Sequence, residues 1–372
     1  MTMIDETVLR REEEAKLRLR ALYRNYGYMP FKMSKFEEYD LYARNKDFLI
    51  SDSVITFTDT DGKLMALKPD VTLSIVKNSR DLPGKVQKVY YDENVYRVPR
   101  GGLSFREIMQ VGLECIGDID TYCVAEVLML AAKSLGQISP DYVLDVSHLG
   151  VVSTLIDRMG VSGSGRQQIL VCVGEKNAHG IDGVCVAEGI DPQSAAPLRR
   201  LLAADGDCDK TLALLAEEDC GESAKALADV LSAVREAVPE GKIRIDFSVV
   251  NDMNYYNGIV FKGFVNGIPT SILSGGQYDN LMRKMGKKSG AIGFAVYLNL
   301  LDELETRSAE YDTDVVLLYD DSSDVACVSR TVNALVAAGE RVIARKAAPT
   351  KLKYKKLMKL VNGEVTTLET HA

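Results

Sequence analysis

The spacing of apolar positions changes repeatedly along this chain, and each change predicts an element. From residue 6 to 26, Leu9, Leu17, Leu22 and Tyr26 form an apolar stripe among Arg10, Arg11, Glu12, Glu13 and Glu14, as in an amphipathic helix. Gly27 suits its C-terminal cap. Residues 28–36 read as extended. Residues 57–67 read as a hairpin, because Asp61-Gly62 separates two apolar-rich runs. The loop Lys68-Pro69-Asp70-Val71-Thr72 follows, with Thr72 placed to open a short helix to Asn78. Residues 89–96 are β-branched and aromatic, and residues 98–103 carry turn chemistry in Pro99, Gly101 and Gly102. Beyond them Ile108, Gln110, Gly112 and Glu114 alternate with Met109, Val111 and Leu113. Two antiparallel strands joined by a loop are expected here.

Residues 121–135 predict an apolar helix through Val124, Leu128 and Leu135, and residues 142–146 a short strand. From about 150 to 240, Ala, Leu, Asp and Glu dominate, with helical spacing at 151–159, 195–204, 209–217 and 222–236. No ligand-like cluster stands there, and His179 reads as an incidental surface residue. Residues 243–247 alternate as a strand, 271–281 read as a strand-to-turn junction, and 290–301 as strand then helix. The tail reads strand (315–319), helix (324–338), strand (341–345), helix (350–360) and strand (364–368), a small α/β unit. The second of these helices would be basic, with Lys351, Lys353, Lys355, Lys356 and Lys359.

At 372 residues the chain has room for two or three units around a sizeable core. The pattern sets a core over 1–150 and 241–308, a mostly helical insert over 151–240 and the small α/β unit over 312–372. A net charge of −8 argues against a general nucleic-acid surface. No apolar run approaches the roughly 20 residues that span a bilayer. The charged N-terminus lacks a signal-peptide core, so a cytoplasmic location without membrane contact is expected. Seven scattered cysteines, no C-x-x-C pair and three histidines argue against a zinc cluster and fit reduced thiols. No metal and no cofactor is expected.

The strand pair would bring Arg97, Gln110 and Glu114 onto one patch. Two readings are open on spacing alone. The patch is a solvated face of a half-buried sheet, or it cradles an amino acid, with Arg97 forking a carboxylate and Glu114 accepting from an ammonium. Tyr255 and Tyr256 are likewise either one inward and one outward residue on a sheet, or walls for an imidazole.

Taken in order, these stretches resemble the class II aminoacyl-tRNA synthetases, and among them the histidyl branch. The pair of strands ending in Gln110-x-Gly112-x-Glu114 resembles motif 2. The first helix, Tyr26-Gly27-Tyr28 and the extended segment resemble motif 1, which implies a dimer interface, although Ser34 stands where that motif has proline and Pro30 lies four residues earlier. Lys68-Pro69-Asp70-x-Thr72 resembles Arg-Pro-Glu/Asp-x-Thr, whose acid holds an α-amino group. Residues 251–261 resemble Arg-Gly-Leu-Asp-Tyr-Tyr-x-x-x-x-Phe, residues 274–281 resemble Gly-Gly-Gly-Arg-Tyr-Asp-x-Leu, and residues 290–301 resemble motif 3, Gly-Phe-Ala-x-Gly-x-Glu-Arg. The tail resembles a shortened anticodon-binding domain.

The resemblance implies a histidine-binding set of Asp70, Thr72, Arg97, Gln110, Glu114, Tyr255 and Tyr256. It also implies losses. Pro99 stands for the motif 2 Glu, Asn251 and Gln277 for signature arginines, and Leu298-Asn299 for the motif 3 Glu-Arg pair. A neutral amide cannot replace a guanidinium against a triphosphate. Ligand residues kept and nucleotide residues lost resemble the catalytically silent paralogue, the regulatory subunit of ATP phosphoribosyltransferase. That implies an α+β fold with a class II synthetase-like antiparallel sheet flanked by helices, and no aminoacylation. It also implies a role in the first step of histidine biosynthesis, beside a short catalytic subunit, with feedback inhibition by histidine. A homodimer core within a hetero-oligomer is implied, and tRNA is not an expected partner. The alternatives are a divergent histidyl-tRNA synthetase and a module that senses an amino acid or tRNA.

Overall fold

The computed structural model describes residues 9–49, 53–98, 104–239, 241–250, 255–304 and 311–371. It comprises two compact units, Met1–Leu304 and Glu305–Ala372.

In the first unit the charged amphipathic run folds as α1 (Arg11–Asn25), which buries Ala15, Leu19 and Tyr23. Gly27, at φ +81°, turns the chain out of the helix and into β1 (Met29–Pro30). After β2 (Phe36–Glu38) and α2 (Tyr39–Ala43) comes the expected hairpin, β3 (Thr56–Thr58) and β4 (Leu64–Leu67). Asp59 accepts from the amides of Asp61 and Lys63, and Gly62 adopts the left-handed conformation the turn needs. α3 (Thr72–Asn78) spans the expected residues, but Asp70 caps it: its carboxylate accepts from the Leu73 amide at 2.8 Å. Thr72 lies inside the first turn, so its hydroxyl serves another purpose. β5 (Val86–Arg97) and β6 (Arg106–Gly117) pair antiparallel from Val86 opposite Gly117 to Arg97 opposite Arg106. Their alternation feeds two cores. Val111, Leu113 and Cys115 join one cluster with α1, and Val89, Tyr91 and Val95 join another with α3.

α4 (Thr121–Ile138) and β7 (Tyr142–His148) lead into the helical region. It contains α5 (Leu149–Met159), α6 (Gly163–Gly174), α7 (Ala178–Ala187), α8 (Ala196–Leu202), α9 (Cys208–Glu217) and α10 (Gly221–Ala237). The apolar pattern did not reveal α6 and α7. Their signals are caps: Ser162 and Asn177 each accept from a first-turn amide. Ile169, Ile181, Leu198, Leu215 and Leu227 share one buried cluster with Leu128 and Phe261.

The chain then adds β8 (Ile243–Ile245), β9 (Ile259–Val265), β10 (Leu273–Gln277), α11 (Asp279–Lys284) and β11 (Gly290–Tyr297). A 3-10 turn, Leu298–Glu303, stands where a helix was expected. The eight-stranded sheet runs β1-β5-β6-β11-β10-β9-β7-β8. Its interior pairs are antiparallel, and the edge pairs β1·β5 and β7·β8 are parallel, so the sheet is mixed.

The second unit is β12 (Thr313–Leu318), α12 (Val325–Ala337), β13 (Val342–Arg345), β14 (Tyr354–Val361) and β15 (Glu364–Thr370), with sheet order β13-β12-β14-β15. The expected basic helix over 350–360 is absent, because β14 occupies its place. Asn362-Gly363, both at positive φ, turn β14 into an antiparallel hairpin with β15. An irregularity between Leu357 and Met358 breaks the alternation. It leaves the buried Leu357 and Leu360 three positions apart, a helix-like spacing on a strand.

Among the described residues, no helix is long and apolar enough to cross a membrane, and no group of His, Cys, Asp and Glu could hold a metal ion.

Candidate functional site

Strand register builds the floor of one cavity in the first unit. Tyr91 lies opposite Gly112, Gly112 opposite Ala295, and Ala295 opposite Ser274. Three small residues therefore form a trough across β6, β11 and β10. Glu114 and Gly293 pair on one side of it, Gln110 and Tyr297 on the other. The loop before α3 brings Asp70 and Thr72, and the segment before β9 brings Tyr255 and Tyr256. All seven residues expected to hold a ligand, Asp70, Thr72, Arg97, Gln110, Glu114, Tyr255 and Tyr256, line this space of about 680 Å³, mouth included.

Glu114 is 2% exposed. Tyr278 donates its hydroxyl to Oε2 at 2.7 Å, and Thr72 donates to Oε1 at 2.9 Å. Burial pushes the Glu114 pKa up to about 8, against the pull of these two donors, and the charge of Asp70 adds to the rise. Burial also raises Asp70, opposed by the Leu73 amide and by Arg97. Burial keeps the phenols of Tyr91, Tyr255 and Tyr278 protonated, so all three stay O–H groups.

Arg97 and Gln110 are each 5% exposed. Among the described residues, neither head group has a hydrogen bond or ion pair, although both line the cavity. The Arg97 guanidinium lies 5.9 Å from the centre of the Tyr297 ring. Buried polar groups without protein partners are costly unless something else satisfies them. Here they converge on a space that Asp70 and Glu114 also line. The Tyr255 and Tyr256 rings are 4.6 Å apart, and Tyr255 also packs on Tyr278 and Phe48. Among the described residues the cavity thus offers one cation, one amide, three carboxyls (Asp47, Asp70 and Glu114) and an aromatic wall, a set that fits a free amino acid with a flat, nitrogen-bearing side chain.

Residues 4–301 match the family model described as histidyl-tRNA synthetase. This chain belongs to the histidyl-tRNA synthetase family. Curated relatives include proteins of two names. The ATP phosphoribosyltransferase regulatory subunit of Ruminiclostridium cellulolyticum is 27% identical over 308 residues, covering 80% of this chain and 73% of the relative. The histidine–tRNA ligase of Pyrobaculum arsenaticum is 28% identical over 327 residues, covering 85% and 76%. Among solved structures, an ATP phosphoribosyltransferase regulatory subunit/histidyl-tRNA synthetase from Bacillus halodurans C superposes with a TM-score of 0.71 at 21% identity, covering 94% of this chain and 93% of that one. The ATP phosphoribosyl transferase (HisG:HisZ) complex of Thermotoga maritima matches with a TM-score of 0.62 at 18% identity, covering 80% and 98%. The fold is that of the class II aminoacyl-tRNA synthetases.

Two positions where this chain departs from the family pattern, Gln277 and Asn299, are not among the cavity residues, whereas Tyr297 is. Gln277 turns its amide oxygen to the Ile259 amide at 2.8 Å, against Gly258, and ties β10 to β9. Asn299 is exposed on the 3-10 turn. Counting motif 3 from Gly293 corrects the sequence placement by one residue: the acid position is Asn299, the cation position is Leu300, and Tyr297 stands at the second glycine. Leu300 packs into the core, so no charge stands at either position. Pro99 and Asn251 lie outside the described residues. Lys68, at the family's usual arginine, is fully buried and binds Glu93 at 2.5 Å, which fastens the Asp70 loop to β5.

Sequence reasoning missed Tyr91, Tyr278, Tyr297, Ser274 and Gly293 as cavity residues. Strand alternation from Arg97 back to Tyr91, and from Glu114 across to Gly293, was the available signal.

Proposed function

We propose that this chain is the regulatory subunit of an ATP phosphoribosyltransferase. In this reading it binds histidine in the cavity, supports a short catalytic subunit in the first step of histidine biosynthesis, and conveys feedback inhibition. Arg97 takes the α-carboxylate through its forked N–H edge. Asp70 takes the α-ammonium, Glu114 and Gln110 meet the imidazole nitrogens, and Tyr255 and Tyr256 wall the ring. The observation that carries the reading is Arg97 and Gln110, buried and without a hydrogen-bond or ion-pair partner among the described residues, in one cavity with the buried Glu114 and the half-buried Asp70. The absence of aminoacylation rests on neutral residues at Asn251, Gln277 and Leu300, where a nucleotide triphosphate needs cations, and at Asn299, where motif 3 has its acid. Histidine regulates by binding two states of the assembly unequally, since a ligand of equal affinity for both shifts nothing. A homodimer core, a cytoplasmic location and no tRNA partner complete the proposal.

The test is reconstitution with a short catalytic subunit. Phosphoribosyl transfer should rise when this chain is added and fall with histidine. No stimulation, or stimulation that histidine leaves untouched, overturns the proposal. The Pyrobaculum relative keeps a second reading in view, a working histidyl-tRNA synthetase. Robust histidine-dependent exchange of pyrophosphate into ATP would establish it.

A further inference from the structure

We infer that Tyr297 is a positioning residue: its ring aims the Arg97 guanidinium, and through it sets a preference for ligands that carry a carboxylate. This rests on the reading of the cavity as an amino-acid site.

Arg97 ends β5 and is nearly fully buried. A buried arginine ordinarily finds a carboxylate at contact distance. Among the described residues Arg97 has none, and Asp70 acts on it only through space. Among the described residues its guanidinium carbon lies over the Tyr297 ring, 5.9 Å from the ring centre. Tyr297 is well placed to act as a fixed surface. It closes β11 opposite Gln110, and its amide donates to the Ile272 carbonyl at 2.8 Å, so the sheet holds its backbone on both sides. A guanidinium lying against an aromatic face keeps its in-plane N–H edge free. That edge accepts one carboxylate in bidentate fashion. Tyr297 and Arg97 thus form a unit in which the ring fixes orientation and the cation binds.

The unit predicts selectivity rather than affinity alone. A ligand with a carboxylate uses the aimed edge, and one with a hydroxymethyl group in its place cannot. The test titrates L-histidine and L-histidinol by calorimetry into the full chain and into Tyr297→Phe and Tyr297→Leu, with thermal melting as the check on folding. The wild type should prefer histidine, and Tyr297→Phe should keep that preference because the ring remains. Tyr297→Leu should bind histidine roughly ten-fold more weakly with histidinol unchanged, the scale of a desolvated cation–π contact. An unchanged histidine-to-histidinol ratio in Tyr297→Leu, or an equal loss for both ligands, overturns the inference while leaving the amino-acid site standing. Failure of the wild type to bind histidine overturns that site as well.

Discussion

Gly293→Ala puts the cavity floor under direct stress. A Cβ at this position would sit 1.7 Å from Glu114 Oε2 and 2.5 Å from the Leu113 carbonyl oxygen. β11 cannot retreat, because Gly293 is locked opposite Glu114 in a ladder running from Gly290 to Tyr297. The Glu114 side chain must therefore swing away, and it loses the Tyr278 and Thr72 hydroxyls together. Two buried hydrogen bonds and local overpacking amount to about 2–4 kcal/mol. At about 2–4 °C per kcal/mol for a chain of this size, the melting temperature should fall by roughly 5–10 °C. Histidine binding should weaken at least ten-fold, since Glu114 no longer faces the ligand. Differential scanning calorimetry and histidine titration read both effects. Gly183→Ala is the matched control, because its added Cβ meets nothing within 4 Å on the exposed side of α7. It should be neutral or stabilising by up to about 1 kcal/mol. A Gly293→Ala chain with wild-type melting and affinity would refute the geometry of the floor.

Two pH effects follow from buried groups, and an affinity effect follows from Arg97. Glu114 titrates near 8 in the folded, ligand-free chain against 4.5 unfolded, so its contribution is full below 4.5 and is lost as pH rises through 8. Urea midpoints should fall between pH 6 and pH 9 in the wild type and stay flatter in Glu114→Gln, and equal slopes would contradict this. His148 caps α5 by accepting from the Gly150 amide through Nδ1, and burial lowers its pKa to about 4 from 6.5. Its contribution is present above 6.5 and is lost as pH falls toward 4, by up to about 3 kcal/mol. His148→Asn keeps a capping acceptor without that titration, so its urea midpoint should vary less over this window. Arg97→Met removes the only cation that lines the cavity among the described residues, and the loss of a buried charged partner should cut histidine affinity roughly 30-fold or more.

Much of the site was legible because strand alternation is a strict rule. Arg97, Gln110 and Glu114 were placed on one patch by parity, and parity holds on β5 and β6. The same rule reaches Tyr91 and Gly293, yet their roles needed the register between strands that are far apart in sequence. Tyr278 was visible in its motif, but its hydrogen bond to Glu114 joins residues 164 positions apart. Local patterns misled where geometry was irregular. The break near Leu357 imitated a helical spacing, and the lysines around it drew attention from Asn362-Gly363. α6 and α7 escaped because their apolar stripes are thin and their caps carry the signal. The parallel edges of the sheet come from β1 and β8, which have two and three residues and too little length to show a pattern.

The most direct measurement is a calorimetric titration of L-histidine into the purified chain, without any partner, beside the same titration into Arg97→Met. One histidine should bind per wild-type chain, and the Arg97→Met isotherm should be flat or far weaker. No heat from the wild-type chain, or an Arg97→Met isotherm that overlays it, would contradict the assignment of this cavity to a free amino acid.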